Sequence, residues 1–222
     1  MGITIEHTDR LYWLGRYTER VYTTIQYFSR SFDRVVSHDN AACEEFCQRL
    51  DIPNIYQGWR DFLRRYNFDH SNPDSVASNL ERVYDNAVVM RDDIGSESIC
   101  YVQMSMYSLE RAAVSETPYL EMVKVSDNML AFWGICDDQI ESENVRNIIK
   151  VGKRVERIDL YARLEMPRET LRREVSRLTH RIAKTNLHYD KEKLQTLAQL
   201  VEEETIPYRS IVQCVDHILV YT

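Results

Sequence analysis

Residues 11–26 read "LYWLGRYTERVYTTIQ", and residues 148–163 read "IIKVGKRVERIDLYAR". Each segment carries a glycine, a basic residue, two further residues and then Glu-Arg. In and beyond the first segment, apolar residues recur in steps of three and four, which is the spacing of one face of an α-helix. That face consists of Leu11, Leu14, Val21, Ile25, Phe28, Phe32 and Val35, with Thr18 in one position. The spacing predicts amphipathic helices that are stable only when packed against other helices.

The similarity of the two segments extends beyond the charged hexapeptide. Gly15 and Gly152 are 137 positions apart, and at this offset the apolar faces coincide, with Leu11 on Ile148. The charged residues coincide too: Arg16 with Lys153, Glu19 with Glu156, and Arg20 with Arg157. The sequence therefore predicts two related helices and a pseudo-twofold internal repeat.

The rest of the chain also favours helices. Its 222 residues include only 6 glycines and 5 prolines, which is little material for the many tight turns of an all-β fold. No segment sustains the alternation of apolar and polar residues that strands require. One long helix is expected to end at Gly95, over "SVASNLERVYDNAVVMRDDI". We predict an all-α bundle of about eight to ten helices, forming a single domain over residues 1–222.

The charged residues of the repeat share one side of their helix. Arg16, Glu19 and Arg20 lie opposite the apolar face, together with the aromatic residues Tyr12 and Trp13. Because a plain solvent face seldom collects aromatic residues, we interpret this side as a second contact surface. Buried charges must be paired there, and the natural pairs are Glu19 with Arg157 and Glu156 with Arg20. Gly15 and Gly152 would allow the two helix backbones to approach closely.

Two interpretations of these charges stay open at this point. In one, the ion pairs are structural and fix the helix register. In the other, four basic groups against two acids form a cationic pocket for a phosphate or carboxylate. The candidate ligand-binding residues are Arg16, Glu19, Arg20, Lys153, Glu156 and Arg157. Two further Glu-Arg pairs, Glu81-Arg82 and Glu110-Arg111, could be coincidental, because Glu-Arg is a common helical dipeptide.

Composition argues against several classes of protein. The net charge of -7 argues against a nucleic-acid partner, and acids interleave with a basic run that we interpret as a solvated helix face. That run comprises Arg168, Arg172, Arg173, Arg177 and Arg181. No stretch approaches the length of a membrane span, and the N-terminus lacks the pattern of a secretory signal. Five cysteines without framework spacing fit a reducing compartment, so we expect a cytoplasmic protein.

Sequence signatures of cofactor and metal sites are also missing. The chain contains no phosphate-binding glycine loop, no His-Glu-x-x-His and no Cys-His arrangement at a telling spacing. Cys43 and Cys47 could share a helix face, but no further ligands follow at the spacing of a zinc finger. We therefore expect no cofactor and no metal.

Three segments, "LYWLGRYTER", "SNLERVYDNAVVMRDDI" and "VGKRVERIDLYARL", resemble the Alpha-E family, bacterial all-helical proteins named for their Glu-Arg motif. In that family an alanine and an acid commonly follow the first motif, whereas this chain has Val21 and Tyr22 there; the second copy keeps its acid at Asp159. Members are associated with ATP-grasp ligase-like and transglutaminase-like proteins. The resemblance therefore implies a role in forming or modifying peptide or amide bonds.

Two functions are compatible with these observations. The first is an accessory or scaffold protein that binds an ATP-grasp-type ligase or a transglutaminase-like partner, or holds its peptide substrate. The second is an enzyme or anion-binding protein in which Glu19 or Glu156 acts as acid or base and the arginines hold an anionic substrate. Assembly into a homo-oligomer is left open.

Overall fold

The computed structural model describes residues 5–36 and 40–220, and within these ranges the chain forms eleven α-helices and no strand. The all-α fold predicted from the sequence is confirmed. The helices are α1 (Ile5–Val36), α2 (Asn40–Leu50), α3 (Trp59–Arg65), α4 (Val76–Val89), α5 (Arg91–Ile94), α6 (Ser96–Val114), α7 (Pro118–Gln139), α8 (Glu143–Arg163), α9 (Arg168–Ile182), α10 (Lys191–Leu200) and α11 (Tyr208–Asp216). None of them is long and apolar enough to cross a membrane.

One helix more than expected arises at Met90. The sequence predicts a continuous helix up to Gly95, but the backbone of Met90 leaves helical geometry (φ −92°, ψ 16°) and separates α4 from the four-residue α5. Gly95 does end this region, with a φ of 78° that favours glycine. At the other end, the Ser75 side chain caps α4 by accepting a hydrogen bond from the Ser78 backbone N–H at 3.0 Å.

The chain divides into two compact units. The first unit comprises residues 1–19 and 141–222, and the second comprises residues 20–140. Helix α1 contributes its first part to one unit and its remainder to the other. The single domain expected over residues 1–222 stays a prediction.

In the first unit, α8 packs against α9 and α11, and α10 packs against α9 and α11. The apolar faces predicted from the two repeat segments form its core: Leu11, Leu14, Ile148, Val151 and Val155 are all fully buried. Ser142 caps the start of α8, and Asp190 caps the start of α10.

In the second unit, α6 packs against α7 and α4, and α2 packs against α3. Aromatic rings fill the space where α1, α2 and α3 meet. Phe46 lies with its ring centroid 5.2 Å from that of Phe62 and 5.0 Å from that of Tyr66. Phe28 from α1 joins them, 5.8 Å from Phe62. Such offset and edge-to-face contacts stabilise the fold beyond the contribution from burying the rings.

Candidate functional site

The site begins with a close crossing of α1 and α8 in the first unit. A Cβ atom on Gly15 would lie 2.0 Å from the carbonyl oxygen of Ile149, and a Cβ on Gly152 would lie 2.0 Å from that of Tyr12. Tyr12 and Ile149 are themselves 137 positions apart, as are the two glycines. The contacts are therefore reciprocal, which confirms the predicted close approach and agrees with the internal repeat predicted from the sequence. Any side chain larger than hydrogen would push these backbones apart.

The first predicted ion pair forms one turn beyond this crossing. Arg157 donates from Nε to Glu19 Oε1 at 2.6 Å and from Nη2 to Oε2 at 2.8 Å. The Glu19 side chain is 0% exposed and that of Arg157 is 14% exposed. Burial alone would lower the pKa of Arg157, but the charge and hydrogen bonds of Glu19 raise it above its ordinary value. This forked geometry is the strongest form of an arginine–carboxylate contact.

Glu156, the counterpart of Glu19, binds Arg16. Arg16 Nε donates to Glu156 Oε2 at 2.7 Å, and its Nη2 donates to Asp216 of α11 at 3.3 Å. The guanidinium also lies 5.0 Å from the centre of the Trp13 ring, so the aromatic residues of the charged face contact its cation. Burial works against the charged form of Arg16, but Glu156, Tyr12 and Asp216 together outweigh it and raise the pKa of Arg16 well above its ordinary value.

The remaining candidate residues are Arg20 and Lys153, both partly buried. Arg20 belongs to the second unit, and its expected pairing with Glu156 stays a prediction. Lys153 lies at the crossing, where its backbone nitrogen would be 3.0 Å from a Cβ on Gly15.

Sequence reasoning missed Glu174 on α9. This residue lies inside the basic run that we interpreted as a solvated face, yet it is 1% exposed. It accepts a hydrogen bond from Arg154 of α8 and another from Arg177 at 2.9 Å. Its position could have been found from spacing, because it falls in the apolar series of Leu171 and Leu178. Three arginines of the run, Arg172, Arg173 and Arg177, are exposed as expected, whereas Arg168 and Arg181 are half-buried.

The charges around Glu174 perturb one another. Burial raises the pKa of Glu174, but the positive charges of Arg154 and Arg157 prevail and lower it below its usual value. Arg154 has a lowered pKa because it is buried and lies near the like charges of Arg157 and Arg177, although Glu174 opposes the change.

A second group of acids surrounds Glu156. Asp159 is 3% exposed and accepts two hydrogen bonds from Arg163, at 3.1 Å and 3.0 Å. Burial, followed by the negative charges of Glu156 and Asp216, raises the pKa of Asp159 from 3.8 to about 6, and Arg163 only partly opposes this. Asp159 therefore has a pKa in the range that suits a general acid or base near neutral pH.

Further charged residues extend the network beyond the two motifs. The acids Asp159, Glu174 and Asp216 are accompanied by the arginines Arg154, Arg163 and Arg177, so the added charges offset one another. The result is a buried network in which the described carboxylates contact arginines. Among the described side chains, no group of three or more His, Cys, Asp or Glu residues could hold a metal ion.

Comparison with known proteins agrees with the repeated Glu-Arg geometry. A family model described as Alpha-E, a predicted alpha-helical domain with a conserved ER motif, matches residues 7–219. No curated protein and no solved structure matches the chain significantly. Since the family model spans nearly all of the chain, and the chain has the helical fold and the Glu-Arg motifs that the model describes, the protein belongs to the Alpha-E family.

Proposed function

We propose that this protein is a helical accessory protein, in which the twin Glu-Arg motifs hold the helices of the first unit in register. The observation that carries this proposal is the burial of the motif acids. Glu19 and Glu156 are both 0% exposed, and each is bound by an arginine. A general acid or base must contact the proton that it transfers, so an enclosed and neutralised glutamate is suited to structural support.

The proposed partner is an ATP-grasp-type ligase or a transglutaminase-like protein, and the shared task is forming or modifying peptide or amide bonds. Support comes from membership of the Alpha-E family and from apolar side chains left exposed on the second unit. Tyr107 is 62% exposed on α6 and Leu120 is 59% exposed on α7. Exposed apolar residues also recur in steps of three or seven along both helices: Met104, Tyr107 and Val114 on α6, and Leu120, Val123 and Leu130 on α7. This helical spacing suits a partner helix laid along either element.

The test is co-purification of this protein with an ATP-grasp-type ligase and, separately, with a transglutaminase-like protein. We expect a complex that the Tyr107→Ser and Leu120→Ser variants weaken at least tenfold, because each removes an exposed contact residue. Ile55→Ser is the matched control, since Ile55 is also exposed (48%) but lies outside α6 and α7. Far-UV circular dichroism verifies that each variant is folded. Failure of both partner classes to bind the unaltered chain would overturn the proposal.

The alternative function is an enzyme or anion-binding protein that uses the Glu/Arg network. The pKa of Asp159, near 6, favours it, because that value suits a general acid or base at neutral pH. An anion would have to displace Glu19 from Arg157 to reach the guanidinium. Thermal-shift measurements with ATP, phosphate and acidic peptides distinguish the two functions. Stabilisation that is lost in Arg20→Ala or Arg157→Ala would favour the alternative, whereas partner binding without ligand stabilisation favours the accessory function.

A further inference from the structure

The second unit contains an open cleft of about 320 Å³ that lies between α4, α6 and the segment before α4. Its floor is apolar and includes Leu80, Met106 and Leu109. Its polar lining residues are His70, Glu81 and Glu110. An apolar floor with a few polar groups is the usual composition of a small-molecule site, and this volume suits one ring with a short chain.

Both glutamates belong to Glu-Arg pairs whose arginines are directed elsewhere. Arg82 donates to the backbone carbonyl of Pro73 at 2.7 Å and to the side chain of Asn79 at 3.2 Å. Arg111 contacts Glu121 of α7 at 3.3 Å. The cleft is therefore lined by the acid of each pair, while the cation of each pair makes these contacts away from it.

The remaining charge of the cleft is negative. His70 Nδ1 lies 2.6 Å from Glu81 Oε1, and it is the only basic side chain among the residues that line the cleft. Glu110 makes no hydrogen bond or ion pair with any residue that the structure describes. Two carboxylates beside one histidine give the lining of the cleft a negative charge, which favours a cationic ligand over an anionic one. A protonated amine supplies both the charge and up to three N–H donors.

We propose that this cleft binds a small amphiphilic cation, a protonated amine carried on an aromatic or branched apolar group. The apolar group occupies the floor formed by Leu80, Met106 and Leu109. The ammonium donates to Glu110 and competes with His70 for Glu81. This binding function goes beyond the proposed accessory role, because the residues that line the cleft differ from the exposed residues of α6 and α7 assigned to the partner.

The first experiment compares three probes of the same shape by isothermal titration calorimetry: phenethylamine, 2-phenylethanol and 3-phenylpropionate. We expect phenethylamine to bind, the neutral alcohol to bind about tenfold more weakly, and the anion not to bind, because charge-assisted hydrogen bonds are the stronger ones. Binding of phenethylamine should also weaken as salt is added. Equal binding of the cation and the anion would overturn the proposal.

Variants test whether the cleft itself binds the amine. Glu110→Gln and Glu81→Gln should each weaken phenethylamine binding about tenfold, whereas Glu97→Gln should not, because Glu97 is exposed on the same helix α6 but does not line the cleft. Ala113→Phe should abolish binding, since Ala113 lines the cleft and is exposed enough for a ring to fill it without disturbing the core. Unchanged affinity in all three cleft variants would show that the amine binds elsewhere and would refute the site.

A last comparison identifies the natural source of the amine. A dipeptide Phe-Lys with both ends blocked presents the same chemistry within a peptide. If the dipeptide binds at least tenfold more tightly than phenethylamine, a peptide supplies the cation. If the dipeptide binds more weakly than phenethylamine, the natural ligand is a free amine. Glu110→Gln should weaken both interactions about tenfold in either case.

Discussion

The variant Glu19→Gln should lower the free energy of unfolding by about 3 kcal/mol. Removing one partner of a buried ion pair commonly costs about 3–5 kcal/mol, because the other charge is left buried and unpaired. Arg157 retains 14% exposure and the attraction of Glu174, which places the expected cost at the lower end of that range. Glutamine keeps the shape of the side chain, so the loss measures the charge and its forked hydrogen bonds rather than a cavity.

The assay is urea denaturation followed by far-UV circular dichroism, combined with a double-mutant cycle. Arg157→Met should be similarly destabilising, since it leaves Glu19 buried without its cation. The double variant removes both charges, so its cost should be lower than the sum of the single costs by at least about 1.5 kcal/mol. Neither charge is then left buried without its partner, which is the main cost of removing one member of such a pair.

The matched control is Glu6→Gln in the same helix. Glu6 pairs with Arg10 at 3.2 Å, but the two side chains are 76% and 37% exposed. An exposed pair of this kind contributes at most about 1 kcal/mol and commonly far less. If Glu19→Gln were as mild as the control, within about 0.5 kcal/mol, the pair would be energetically a surface pair and the register-fixing role of the motif would be refuted.

Two further predictions concern the crossing and the titrating acid. Gly15→Ala and Gly152→Ala should each destabilise the protein by about 1–3 kcal/mol in the same assay, because the new Cβ would overlap a backbone carbonyl. The control is Gly134→Ala, where a Cβ meets nothing within 4 Å. This variant should stabilise α7 by up to about 1 kcal/mol. The native state holds the proton of Asp159 up to a pH of about 6 and the unfolded state only up to 3.8, so this group's contribution to stability should fall by about 3 kcal/mol as the pH rises between those values. Asp159→Asn should abolish that fall, measured as the difference from the unaltered chain across the pH range, whereas Asn at the exposed Asp85 should leave the profile unchanged. Parallel pH profiles for Asp159→Asn and the unaltered chain would contradict the assignment.

Much of the fold could be predicted because helix packing leaves a periodic trace in the sequence. The spacing of Leu11, Leu14 and Val21 identified a face that is fully buried in the structure. The repeated position of Gly15 and Gly152 identified a close crossing, because glycine inside a helix is costly unless the missing side chain is needed. Both inferences depend on the spacing of residues within a helix and on a repeated motif, and both of these can be recognised in a single sequence.

The network around the crossing could be predicted only in part. Glu19 and Arg157 were paired correctly because the repeat placed them at corresponding positions on facing helices. Asp216 lies 200 residues from Arg16, and no periodicity connects α11 with α1. Glu174 was hidden by its basic neighbours, because an acid among arginines is typical of a solvated helix face.

The two copies of the motif have diverged in a way that determines where chemistry could occur. In the first copy, Tyr22 stands where the second copy has Asp159, and Glu19 is held by both nitrogen donors of Arg157. In the second copy, burial together with the negative charges of Glu156 and Asp216 keeps a proton on Asp159 up to a pH of about 6. In the first copy, Glu19 and Arg157 therefore form a structural ion pair, whereas the second copy contains the titrating group, Asp159. If an activity of the Glu/Arg network exists, its pH dependence should disappear in Asp159→Asn and persist in Tyr22→Phe.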